Sequence, residues 1–172
     1  MPPAISVRRA GPDDADAIHR FVCDLARYER EPDAVEATPA SLRADLEADT
    51  PPFECLIAEF DAEPVGFALF FHNYSTWRGR RGLYLEDLFV SERHRGSGAG
   101  RALLAALARL ATERGCARME WAVLDWNQPA MDFYRSLGAE PLGDWTLFRL
   151  AGPALERVAG SARSPGSDEE TE

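Results

Sequence analysis

The chain contains no lysine, and all nineteen of its basic residues are arginine. Codon usage in a GC-rich genome accounts for that bias, and it leaves no side-chain ε-amine for self-acylation. Cysteine is also sparse. Cys23, Cys55 and Cys116 are scattered, form no CxxC pair and have no histidine pair nearby. An odd, dispersed set excludes a disulfide framework and a zinc site, and reads as reduced thiols. The three histidines, His19, His72 and His94, stand at no ligand spacing, so no metal is expected. No apolar run approaches the roughly 20 residues that cross a bilayer, which excludes a membrane partner. The N-terminus, MPPAISVRRAGPDDADAI, lacks the basic-then-apolar layout of a secretory signal. A cytoplasmic protein is the expectation. The formal net charge of −10, part of it in the terminal GSDEETE, argues against a nucleic-acid surface and favours cationic partners.

What is present fits one domain of ordinary composition, 45% hydrophobic and 28% charged. AISVRR (4–9) reads as a first strand. A helix over 13–29 places Ile18, Phe21, Val22 and Leu25 on one face, with Asp13 and Asp14 at its start and Pro32 beyond its end. Thr38-Pro39 opens a second helix ending near Asp49. FECLIAEF and VGFALFFHNY, joined by DAEP, read as a hairpin. LYLEDLFV (83–90) follows as a strand. A helix then runs from the glycine-rich turn to Arg114, with Gly115 just past its end. ARMEWAVL (117–124) reads as a strand, and a short helix runs from Asn127 through Leu137. WTLFRL (145–150) reads as a last strand, and 152–159 as a last helix. The order implies an α/β domain over 1–159 with a mixed sheet and helices on its faces. Residues 160–172 are polar and acidic, and are expected to be a disordered tail.

The stretch HRGSGAGRALL (94–104) is a glycine-rich turn feeding an apolar helix, an arrangement suited to holding a phosphate on backbone N–H groups. A Walker loop needs lysine then serine or threonine after its last glycine, but Arg101-Ala102 follow Gly100. A dinucleotide fingerprint beginning at Gly96 and Gly98 needs glycine at 101, where arginine stands. Both readings fail. What remains is Arg95-x-x-Gly98-x-Gly100, or else a plain strand-to-helix turn.

The Arg-x-x-Gly-x-Gly pattern resembles the coenzyme A loop of the GNAT N-acetyltransferases. That family also expects a strand before the loop, a parallel strand after its helix, and an asparagine-led helix bearing a tyrosine. LYLEDLFV, MEWAVLDWN and PAMDFYRSLGA occur in that order. The Asn-x-x-Ala-x-x-Phe-Tyr spacing is met by Asn127, Ala130, Phe133 and Tyr134. The likeness covers about residues 5–155. It implies a mixed, mostly antiparallel sheet flanked by helices on both faces, with acetyl-CoA as cofactor and coenzyme A as product. By resemblance the cofactor is held by Leu88, Phe89, Val90, Arg95, Gly96, Ser97, Gly98, Ala99, Gly100, Arg101, Asn127, Ala130 and Tyr134.

NYSTWRGRRGLYLEDLFV and AVLDWNQPAMDFYRSLGA are similar to the diamine acetyltransferase branch, which includes spermidine/spermine and thialysine N-acetyltransferases. Trp77 replaces a smaller aromatic, and His94 and Ser97 replace a common tyrosine and lysine. The last two changes weaken the phosphate contacts that the resemblance implies. Acetyl transfer to an amine needs three things. A proton must leave the ammonium form, and the likeness points to Glu86 as its acceptor, directly or through water. Charge on the thioester oxygen needs donors, for which backbone N–H groups near Leu88–Val90 are the source. The thiolate leaving group needs a proton donor, matched by Tyr134.

Tyr28, Glu29, Glu86 and Asp87 offer aromatic and anionic contacts to a small cationic amine. Glu86 and Asp87 point to opposite faces of a regular strand, so they share a site only across a bulge. The acceptor expected is a diamine, polyamine or thialysine-like amino acid, attacked directly in a ternary complex, and the enzyme a homodimer. A protein amino terminus or another small amine is the alternative acceptor. A coenzyme A-binding module without turnover is the alternative class.

Overall fold

The computed structural model describes residues 5–161. They divide into two compact units, 1–127 and 128–172. The first unit holds a five-stranded sheet in the order β1-β2-β3-β4-β5. Its strands are β1 (Ile5–Arg9), β2 (Glu54–Phe60), β3 (Glu63–Ser75), β4 (Arg80–Val90) and β5 (Met119–Glu120). The first four pair antiparallel and β5 joins β4 in parallel, the mixed, mostly antiparallel arrangement expected.

Helices cover both faces because the strands alternate their apolar side chains. On one face lie α1 (Ala15–Tyr28) and α2 (Pro39–Glu47). There Ala15, Ile18, Phe21 and Leu42 pack with Cys55, Ile57, Phe67, Leu69 and Phe89 in one buried cluster. Phe21 stacks on Phe67 with ring centroids 5.7 Å apart. On the other face α3 (Ala99–Glu113) buries Leu103, Leu104 and Leu107, where the strands turn Leu56, Ala58, Ala68, Phe70 and Leu85 inward. Each fully buried leucine, isoleucine or phenylalanine among them contributes about 1.5–3 kcal/mol by leaving water. Thr38 caps α2 as its sequence foretells, its hydroxyl accepting from the Ser41 N–H at 3.1 Å with Pro39 next.

The C-terminal end of α3 is fastened to the sheet. Arg114 makes a bidentate pair with Glu54 of β2, with Nη2 at 2.7 Å from Oε1. His72 of β3 stands against the same guanidinium at 3.4 Å. Close approach also fixes Gly66 of β3, where a Cβ would meet the Phe89 carbonyl oxygen at 2.6 Å.

Two expected strands need correction. The strand read over 117–124 is real only at Met119–Glu120, because β4 turns away past Tyr84 and leaves the later residues without a ladder. The strand read over 145–150 is absent. Its unit holds two helices, α4 (Gln128–Ser136) and α5 (Gly152–Ser161), and no strand among the described residues to pair with. Leu147 and Phe148 are accordingly 77% and 90% exposed. Gly160 and Ser161 belong to α5, and the remainder of the expected tail, 162–172, lies outside the described residues.

Candidate active site

The site is built around an irregularity in β4. Asp87 pairs with Leu69 of β3 and Leu85 with Phe70, so consecutive residues of β3 face residues two apart on β4. Glu86 is the extra residue, a bulge that bends the strand and frees a side chain from strict alternation. The parallel ladder to β5 ends at Tyr84↔Glu120, immediately before this bulge. From Leu85 to Val90 the β5-facing edge of β4 carries no ladder among the described residues. Leu88 and Val90 are half-buried. Phe89 is buried, with its ring 6.3 Å from that of Phe21.

The bulge releases two adjacent carboxylates, Glu86 and Asp87, from strict alternation. Glu86 is exposed, and Asp87 is half-buried on the side shared with Leu69 and α1. Burial pushes the Asp87 carboxyl up to about 6, with the charges of Glu86 and then Glu29 adding repulsion. Glu29 caps α1, its N–H donating to the Leu25 carbonyl at 2.8 Å. Burial raises its carboxyl above the usual range. The charges of Glu86 and Glu29 thus act on the Asp87 carboxyl, and burial withdraws water from Asp87 and Glu29. Among the described residues no three His, Cys, Asp or Glu side chains are grouped as metal ligands would be.

Tyr28, the last residue of α1, is also engaged. Its hydroxyl donates to Asn127 Oδ1 at 3.0 Å. Its ring lies 5.9 Å from that of Trp126, over which the Arg30 guanidinium sits at 4.3 Å. The Arg95 guanidinium covers Tyr28 at 4.7 Å and Phe89 at 5.8 Å, while Arg95 Nε reaches the Val90 carbonyl at 3.4 Å. An open cavity of about 540 Å³ lies here, lined by Tyr28, Phe89, Ser91, Arg93 and Arg95 among others.

The glycine turn follows β4 after one short helical turn at Glu92–His94. Gly96 and Gly98 adopt φ of +78° and +93°, left-handed values that L side chains rarely hold. No atom stands within 4 Å of where a Cβ would lie at either residue. Gly98 is the N-cap of α3 and offers no capping side chain, and the first turn, with Ala99, Gly100 and Arg101, holds no acid. Ser97 Oγ accepts from the Ala99 N–H at 3.4 Å. Open backbone at a helix N-terminus is the cradle that a pyrophosphate needs, so these residues fit the phosphate end of coenzyme A.

Tyr28, Glu29, Glu86, Asp87, Leu88–Val90, Arg95–Arg101 and Asn127 all belong to unit 1–127. Ala130 and Tyr134 belong to the other unit, on α4. Tyr134 packs beside Phe133 with ring centroids 5.5 Å apart. Its carbonyl accepts from the Ala139 N–H at 3.2 Å, and Gly138, at φ +87°, ends the helix. Sequence reasoning missed the contacts of Arg30 and Arg95. A left-handed arginine after a helix leaves no pattern in sequence, and an arginine in a phosphate loop suggests an anion before a ring.

Comparison with known proteins bears on this geometry. The model of the acetyltransferase (GNAT) family matches residues 18–139. A thialysine N-epsilon-acetyltransferase of Bos taurus is 39% identical over 167 residues, covering 91% of this chain and 98% of that one. An L-ornithine N5-acetyltransferase of Arabidopsis thaliana is 39% identical over 118 residues, 67% of this chain and 52% of its own. The solved structure of an integron cassette protein from the mobile metagenome of V. cholerae aligns with a TM-score of 0.76 at 26% identity, over 91% of this chain and 98% of that one.

Proposed function

The chain belongs to the GNAT acetyltransferase family and is an acetyl-CoA-dependent N-acetyltransferase of amines, and on that footing we propose that its acceptor is a small diamine-like molecule: a thialysine-like amino acid, a diamine or a polyamine. The observation that carries this reading is that Asp87, beside the β4 bulge, is half-buried and feels the charges of both Glu86 and Glu29. Such a molecule brings a reacting amine and at least one further cation, and a cluster of acids pairs the second while receiving a proton from the first.

Bound acetyl-CoA supplies the acetyl group as a thioester. The amides of Gly96–Arg101 would hold its pyrophosphate, and Asn127 and Ala130 are further cofactor residues that the family pattern implies. Glu86 takes the proton from the ammonium, directly or through water, while Asp87, Glu29 and the Tyr28 ring hold the rest of the acceptor. Backbone N–H groups of Leu88–Val90 would supply donors to charge on the thioester oxygen. The Tyr134 hydroxyl, matched by the family pattern, would be the proton donor to the thiolate of coenzyme A. The reading extends to direct attack in a ternary complex and to a cytoplasmic homodimer, whose mass light scattering measures.

The test is thiol release from acetyl-CoA across spermidine, spermine, putrescine, thialysine, ornithine, lysine and a short peptide. Turnover of one or more free diamine-type acceptors is expected. Turnover confined to the peptide would give the site to protein amino termini. Cofactor binding with no turnover on any amine would make the protein a binding module.

A further inference from the structure

We infer that Tyr28 is a positioning residue for the cofactor segments, in addition to any contact with the acceptor. The inference rests on the reading that Asn127 and the Arg95–Arg101 loop hold coenzyme A. Two separate stretches of chain, Trp126-Asn127 and the segment opened by Arg95, converge on this one side chain. Its hydroxyl donates to Asn127 Oδ1 at 3.0 Å across 99 residues of sequence. Its ring lies under the Arg95 guanidinium at 4.7 Å and beside Trp126 at 5.9 Å.

Each contact fixes something the backbone alone leaves loose. Asn127 is 8% exposed, so its amide cannot rely on water and its orientation is set by its partners. With the Tyr28 hydroxyl on Oδ1, the Asn127 carbonyl end is committed and its NH₂ end takes a defined direction. Arg95 leads into the glycine turn. Its guanidinium, held between the Tyr28 and Phe89 faces and bonded to the Val90 carbonyl, anchors that turn to the end of β4. Trp126 is gripped from two sides, by Tyr28 and by Arg30 at 4.3 Å. Glu29 follows Tyr28 in the chain and caps the same helix, so the residue that orders the cofactor segments also sets where one acceptor carboxylate stands. Cofactor and acceptor sites share a hinge pin.

A double-mutant cycle on coenzyme A affinity tests this. Calorimetric dissociation constants are compared for the wild type, Tyr28→Phe, Asn127→Ala and the double variant, with circular dichroism confirming that each is folded. Tyr28→Phe should weaken coenzyme A by about 2- to 12-fold, the worth of one net hydrogen bond. In the Asn127→Ala background the same change should have no further effect. Asn127→Asp keeps the acceptor oxygen, and there Tyr28→Phe should again cost affinity. Tyr28→Leu, which also removes the ring beneath Arg95, should weaken binding further than Tyr28→Phe.

A Tyr28→Phe protein with unchanged coenzyme A affinity would overturn the inference, as would strict additivity with Asn127→Ala. A lowered melting temperature at constant affinity would assign Tyr28 a purely structural role. If the wild type acetylates amines yet the cycle shows no coupling, this inference fails alone. If the wild type binds no coenzyme A, the functional reading and this inference fall together.

Discussion

Burial holds the Asp87 carboxyl at a pKa of about 6, against an ordinary value of 3.8. A folded-state pKa above the unfolded one means the native protein keeps a proton that the unfolded chain gives up. Stability is therefore full below pH 4 on this account and falls as pH rises through about 6. Asp87→Asn should melt at the same temperature as the wild type near pH 4 and several degrees higher at pH 8, as thermal scans at the two pH values would show. Catalysis should run the other way. A dicationic acceptor needs ionised carboxylates, so its KM should fall as pH rises through 6, and Asp87→Asn should flatten that profile and lose tenfold or more in kcat/KM. At this scale the sequence was informative about which residues matter and silent about their state. LYLEDLFV names Glu86 and Asp87 as a pair, and strand alternation warns that they need a bulge to act together. That the bulge falls on Glu86 itself is a matter of register with β3, which no local pattern encodes.

Among the elements, α3 carries the most consequence, because its two ends do different work. At its start Gly98 holds φ of +93°. A side chain there is strained by about 1–2 kcal/mol. Gly98→Val should therefore lower the melting temperature and, by covering open backbone, weaken coenzyme A by tenfold or more in a calorimetric titration. At its far end the Glu54–Arg114 pair fastens the helix to the sheet, and the guanidinium holds the Glu54 carboxyl below its usual range. A depressed carboxylate contributes stability above its ordinary pKa and loses it as pH falls through the folded value. The pair is partly exposed, so Glu54→Gln should cost only about 0.5–1 kcal/mol at pH 7 and nothing at low pH, measured by urea unfolding. The helices and the antiparallel strands were legible because their apolar periods are clear and proline or glycine stands at several of their ends. The lengths of the later strands were not. A strand pattern states what a segment can do, whereas the ladder depends on whether a neighbour is there to receive it. MEWAVL has one only as far as Glu120, and WTLFRL has none in its unit.

Over the whole molecule, the missing lysine becomes a practical property. The protein acts on amines yet offers no ε-amine of its own, so prolonged incubation with acetyl-CoA should add no acetyl group to any internal peptide, as peptide mass spectrometry would show. No helix among the described residues is long and apolar enough to cross a membrane. The core beneath the site is aromatic and shared. Phe21, Phe67 and Phe89 meet under the strand that carries the acids. Phe21→Ala should cost about 3–5 kcal/mol in unfolding free energy and disturb the site through Phe89.

The irregularity in β4, finally, amounts to a single codon. Leu85 and Asp87 already face neighbouring residues of β3, so excising Glu86 joins them without moving any other partner. Leu88 would still lie opposite Ala68, and Phe89 opposite Phe67. Gene surgery that small should yield a protein that folds with its framework intact and its cleft shut. In lineages of this architecture, the step between an enzyme and an inert sandwich is then one in-frame deletion, and a library of such deletions along β4 would find it at that position.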